Sequence, residues 1–253
     1  MTMIHPYLTN GRQSGQSIFE VATTVAGESD AVHPVGTRGV LEDGRVFYYA
    51  RNSAAAAITV GQALSAEVQT AQFTELAVGT PAIGDTTVSP TLGSTAVTLN
   101  EYAEGYLCVI DDTGEGYTYK IASHPAASGT TTVALTLHDP LQVALGAGAT
   151  LQMVKNIWAD VIAAPGGQVV VPAGVAQCAV VAGNTVPQYF WCQTWGVSCA
   201  LQDEICAVGK ANTLGPTAGA VEIADAAGEP LIGINIWTSA DGEHAPVFLT
   251  IAP

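Results

Sequence analysis

The chain of 253 residues carries a formal net charge of −15, with 22 acidic against 7 basic residues. That balance excludes a nucleic-acid binder working through its own surface, because neutralising phosphates requires clustered Lys and Arg. Charged residues make up only 11% of the chain, against about a quarter in typical globular proteins, while 48% are hydrophobic; this excludes intrinsic disorder and implies that partner subunits cover part of the surface.

The beginning, Met1-Thr2-Met3-Ile4-His5-Pro6-Tyr7, has no basic segment followed by an apolar run, so no secretory signal is expected. Residues 1–51 hold four of the seven basic residues (Arg12, Arg38, Arg45, Arg51) against five acidic ones, and the remainder holds three against 17. The N-terminal part is therefore the portion suited to an acidic partner. Asp43-Gly44 separates 39–41 from 46–49 and predicts a hairpin, since both residues tolerate positive φ. Ser65 is placed to cap a helix over 66–77, with Glu67 in its first turn and Gly79 beyond its end. Residues 80–93 are rich in Gly, Pro and Thr and read as a connector.

A second hairpin is predicted where 112–116 divides 106–110 from 117–121, and a helical turn or two after Asp139-Pro140, where Gly146 follows as a stop. The apolar run at 169–181 is too short for a membrane helix and is broken by Pro172 and Gly174. Residues 189–195 read as a strand: Tyr189, Trp191, Gln193 and Trp195 share one face, Phe190, Cys192 and Thr194 the other. With aromatics on both sides, it is expected to fill a monomer core or a subunit interface through Tyr189, Trp191 and Trp195. A third hairpin is predicted at Asp241-Gly242, between 231–237 and 246–251.

These elements define a mainly β fold of short antiparallel strands and hairpins, arranged in two sandwich-like or barrel-like units with an extended N-terminal arm and few short helices. The expected divisions are 1–85 (arm and hairpin), 86–157 (middle β unit) and 158–253 (C-terminal β unit). Whether the first and last parts share a sheet is left open by sequence.

Signals for chemistry are weak. Asp112-Thr113-Gly114 after an apolar run resembles the active-site triplet of aspartic proteases, but that mechanism needs a second copy, and Glu115-Gly116 departs from the family's pattern. A hairpin turn accounts for it better, and the protease is kept only as a remote alternative. Asp111, Asp112 and Glu115 lack the ligand spacing of a calcium loop. His5, His33, His124, His138 and His244 are scattered, without metal-ligand spacing. Gly166-Gly167 and Gly215-Pro216 mark turns rather than phosphate cradles. Five Cys (108, 178, 192, 199, 206) without a CxxC pair are expected to be buried free thiols. No catalytic residue, cofactor or metal is expected.

Several blocks resemble structural proteins of tailed bacteriophages: Gly36-Thr37-Arg38-Gly39-Val40 with the segment from Asp43 to Arg51; Glu101-Tyr102-Ala103-Glu104-Gly105-Tyr106-Leu107; and Gly114-Glu115-Gly116-Tyr117-Thr118-Tyr119-Lys120-Ile121. The aromatic strand with Cys199-Ala200-Leu201, Gly219-Ala220-Val221 and Ile232-Gly233-Ile234 is similar to the C-terminal part of the same group. The resemblance implies a capsid decoration (cement) protein, a homotrimer clamping neighbouring major capsid protein subunits on the outer surface of the head after assembly in the host cytoplasm. On that reading the arm lies across the capsid, with Arg38, Arg45 and Arg51 as the contact residues; neither nucleic acid nor a membrane is a direct partner. The alternative is a head or tail fibre component, an adhesin for host glycans, although no fixed repeat is present.

Overall fold

A computed structural model of the chain describes residues 16–23, 31–53, 57–166, 170–181 and 187–253. It is almost entirely β, with two curled antiparallel sheets. The chain forms two compact units, one from Met1–Glu67 with Ile157–Pro253, the other from Val68–Asn156. His5, Arg12, Gly167 and much of the expected arm lie outside the described residues.

In the first unit the strands before the excursion are β1 (Ala22–Thr23), β2 (Arg38–Val40), β3 (Val46–Arg51) and β4 (Ala63–Ser65). The second unit contains β5 (Leu76–Ala77), β6 (Thr87–Val88), β7 (Tyr106–Asp111), β8 (Thr118–Ser123), β9 (Leu135–Leu137) and β10 (Thr150–Val154). The chain then returns to the first with β11 (Ile162–Ala163), β12 (Pro172–Ala176), β13 (Gln188–Leu201), β14 (Ala211–Leu214), β15 (Val221–Ile223), β16 (Gly233–Asn235) and β17 (His244–Thr250).

The larger sheet runs β11-β4-β12-β13-β17-β16-β14-β15, with β1 and the β2–β3 hairpin also joined through β13. The smaller one runs β5-β10-β7-β8-β9-β6. All three hairpins form, with Gly44, Gly114, Gly116 and Gly242 at positive φ in their turns. The first and last segments of the sequence share one sheet, because β3 lies antiparallel to β13 with Trp191 opposite Tyr49.

Three local expectations give way to long-range pairing. Ser65 does not cap a helix; it is fully buried in β4 opposite Ile162 and Pro172, and only a 3-10 turn forms at Ala71–Phe73. After Asp139-Pro140 no helix forms: Leu141 donates its amide to the carbonyl of Asp85, and Leu145, whose amide a helix would direct to Leu141, donates to that of Pro81. The 80–93 stretch is no connector, since Val88 and Leu92 are buried in the core of the second unit. Nor are the described residues of the expected arm free. Ile18 is buried against Tyr49, Tyr189 and Trp191, and Gln16 donates to the carbonyl of Tyr189 while accepting from the Tyr49 hydroxyl.

Alternation along β13 gives its first half two cores. Tyr189 and Trp191 join Phe47 and Tyr49 on one side. Phe190 and Cys192 pack with Ile58, Leu64 and Ala176 on the other. Trp191 meets Tyr49 edge-on at 5.0 Å between ring centroids and lies 5.4 Å from His33. Burial pushes the Tyr49 hydroxyl up to about 12, so it stays a neutral hydrogen-bonding group at any working pH. We expect Trp191→Ala to cost about 3–5 kcal/mol of stability, the range for emptying a large aromatic site, read as a lower urea midpoint.

Candidate functional site

The two sides of β13 part company at Gly196. Pairing with β3 shifts register between Gln193 and Trp195, and Gly196 follows at φ +86. A Cβ there would meet the Cγ of Arg45 at 2.9 Å, so only glycine lets the 43–45 turn come this close. Fully buried Gln193 donates to the carbonyls of both Trp195 and Val197, satisfying the backbone where the ladder is broken.

Beyond this irregularity one face of the sheet opens. Residues directly opposite each other in antiparallel strands point the same way. Val197 lies opposite Phe248, Phe248 opposite Ile234, and Ile234 opposite Ala211, so one row crosses β13, β17, β16 and β14. Cys199 opposite Pro246 begins a second row. Val197 and Ile234 are 47% and 43% exposed, and Cys199 is exposed too. Their neighbours Ser198, Val247 and Asn235 are buried on the other side. None of these outward residues is charged.

At one end of this face is a cleft of about 500 Å³ lined by Asp43, Gly44, Arg45, Trp195, Val197 and Phe248, with Gly196 at its floor. Trp195 and Phe248 meet edge to face, 5.7 Å between centroids. Arg45 pairs with Asp43 at 2.7 Å and holds its guanidinium carbon 5.9 Å from the Phe47 ring centre. Slight burial raises the Asp43 carboxyl, but the Arg45 amide and guanidinium outweigh it and hold the group below the ordinary range. The cleft thus offers an aromatic wall and a charged pair, the mixture that recognises a large side chain or a similarly sized ligand.

Of the six residues singled out from sequence, the structure brings Arg45 and Trp195 together in this cleft. Tyr189 and Trp191 belong to the monomer core. Arg38 is exposed and donates to the backbone oxygen of Pro253. Arg51 is committed to Asp160 in a two-pronged ion pair, Nε to Oδ1 at 3.0 Å and Nη2 to Oδ2 at 2.8 Å, with side chains only 19% and 16% exposed. Phe248, Ile234 and Val197 were not picked out, although the alternation of 244–250 and of 197–201 carries the signal that their faces differ.

The other motifs settle into structural roles. Asp112 occupies an exposed turn at φ +58 and accepts from the Gly148 amide, and no group of three or more His, Cys, Asp or Glu is arranged for a metal among the described residues. His124 accepts from the Tyr102 amide through Nε2 while Nδ1 meets the Pro125 carbonyl, so the ring ties two loop segments together. His138 pairs with Glu104 rather than with Asp139. Among the cysteines, Cys178, Cys192 and Cys206 are buried as expected; Cys108 is half-buried, and Cys199 departs from the expectation because it stands on the open face. No helix among the described residues is long and apolar enough to cross a membrane. Comparison with protein-family models, curated proteins and solved structures gave no match.

Two measurements check this account. Burial pushes the Cys178 thiol up to about 12 and Cys192 further still, so a thiol reagent at neutral pH should modify Cys199 rapidly and these two only on unfolding. Asp160→Asn should cost about 3 kcal/mol, because it strands a largely buried guanidinium, whereas Asp43→Asn should cost under about 1 kcal/mol at its exposed pair. Asn tolerates the φ of +56 at position 160, so the substitution isolates the charge; equal losses in urea unfolding would refute the distinction.

Proposed function

We propose that this chain is a structural subunit of a tailed-bacteriophage head, a decoration (cement) protein on the outer surface of the capsid that acts by binding rather than by catalysis. The observation that carries the reading is the uncharged apolar face of β13, β17 and β16 on a chain with a net charge of −15. A sheet face of this kind is kept where another protein covers it, and the remaining acidic surface keeps the particle dispersed. The resemblance of several sequence blocks to phage structural proteins is what suggests this assembly.

The physical task fits such a surface. A protein that binds the expanded shell and not its precursors stabilises the lattice by mass action, and many weak copies suffice. On this reading the chain assembles in the host cytoplasm, acts as a homotrimer, and contacts the major capsid protein through Arg38 and Arg45; Arg51, held by Asp160, contributes to the fold instead.

Reconstruction of purified particles tests the proposal: the chain should occur in many copies at symmetry axes of the shell. Its absence from the shell, or its presence on the tail alone, would overturn it. Arg38→Glu combined with Arg45→Glu should weaken capsid binding at least about tenfold with the urea midpoint little changed, since rim charges govern association more than folding. Unchanged binding would move the contact away from these two residues.

A further inference from the structure

Trp237 is 69% exposed, the largest apolar side chain left in water among the described residues, on the bend that directly follows β16. The strand before it contributes Ile234 to the open face, and Ile236, 40% exposed, donates its amide to the carbonyl of Pro246 on β17. The same unit therefore carries an unburied indole and, at the β13 end of the face, an unfilled cleft with aromatic walls.

We infer that a second copy of this chain covers the face, with Trp237 of one copy seated in the cleft of the other. The cleft is open enough to admit an indole and matches it in chemistry. Trp195 and Phe248 present ring surfaces for edge-to-face contact, and the Asp43 carboxylate, held by Arg45, can accept from the indole N–H.

Charge does not oppose a like copy along these rows, while Asp241 and Glu243 stand exposed on the segment that carries Trp237. Two chains of −15 repel over most of their surfaces, but the rows through Val197 and Cys199 bring no carboxylate to the contact, and Asp43 arrives already paired with Arg45. Area points to an anchor. Four strands about 4.8 Å apart, presenting two or three alternate residues each, give a flat patch of roughly 300 Å². Burying a Trp in a pocket adds about 150–250 Å² at the point where binding energy concentrates, giving roughly 450–550 Å² per partner, below the about 800 Å² of a standard interface and in the range of a weak, concentration-dependent one. Each copy carries both knob and cleft, so the contact can be reciprocal about a twofold axis or sequential around a closed ring.

The inference names the second copy as the protein that covers the face and takes Arg45 into that contact, leaving Arg38 for the capsid; it rests on the proposed function only for its setting, and the two fail separately. Mass in solution, measured across concentration on the full chain, should exceed the 25.8 kDa of one copy. Trp237→Ser should raise the concentration for half-association at least about thirtyfold, as loss of an interface anchor does. Val197→Glu should do the same from the opposite side. Leu99→Ser, equally exposed in the second unit, should have no effect. Labelling of Cys199 should slow as the protein associates and recover in the Trp237 variant, with urea midpoints equal when both are unfolded below the association range.

A monomer at every concentration up to roughly 100 μM overturns the inference, as does an oligomer indifferent to both Trp237→Ser and Val197→Glu. So does a monomer whose capsid or glycan binding is abolished by Trp237→Ser, which would assign the face to that partner. An assembled protein missing from particles would leave the contact standing and remove the cement function, while a monomer found on the shell would remove the contact and the trimer and keep the decoration role.

Discussion

The antiparallel pairing of β3 with β13 carries more of this molecule than any other contact. Register places Tyr49 opposite Trp191 and Ala50 opposite Phe190, so a single ladder sets both the aromatic cluster on one side and the aliphatic core on the other. Because the two strands lie about 140 residues apart in sequence, closing them requires that the whole second unit be spun out as an insertion between β4 and β11. The loop entropy of such a long closure grows only slowly with length, so an insertion of this size costs little beyond what a shorter one would. The pairing also explains why β13 is 14 residues long: its first half serves β3 and β12, its second half β17.

The change of partner along β13 is what creates a surface for function. Where β3 ends, the strand must disengage from one neighbour and continue with another, and the irregularity at Gln193, Trp195 and Gly196 accomplishes this without stranding backbone groups. Trp195 is turned from the buried row to the edge of a cleft, half-exposed, while Trp191 four residues earlier is wholly enclosed. A regular strand would have kept both indoles in the same environment.

Much of the β architecture was legible because its causes are local. Each hairpin turn carries Gly where positive φ is required, and two-residue alternation correctly divided Trp191 from Phe190. What sequence did not reveal depends on partners distant along the chain. Ser65 has every local mark of a helix cap, but Ile162 and Pro172 claim it for a sheet. Arg51 looks like a free cation until Asp160, 109 residues later, is brought against it. The interleaving of the two units likewise has no signature in composition, since both are built from the same Ala, Thr and Val-rich strands.

The low charge density takes on a different meaning once the sites of burial are known. Fully enclosed amides and hydroxyls recur through the first unit, among them Gln193, Gln202, Asn212 and Asn235, so its cores are not purely apolar. Meanwhile Val197, Ile234, Ile236 and Trp237 remain outside. Hydrophobicity has therefore not simply been spent on the interior; apolar groups stand in water while polar groups occupy the core. That inversion lowers the stability an isolated chain could reach, because exposed apolar area contributes nothing until it is covered and each buried amide must first lose its water. Covering the face of β13, β17 and β16 recovers the apolar part of that deficit in a single step, which ties the stability of this chain to its assembly.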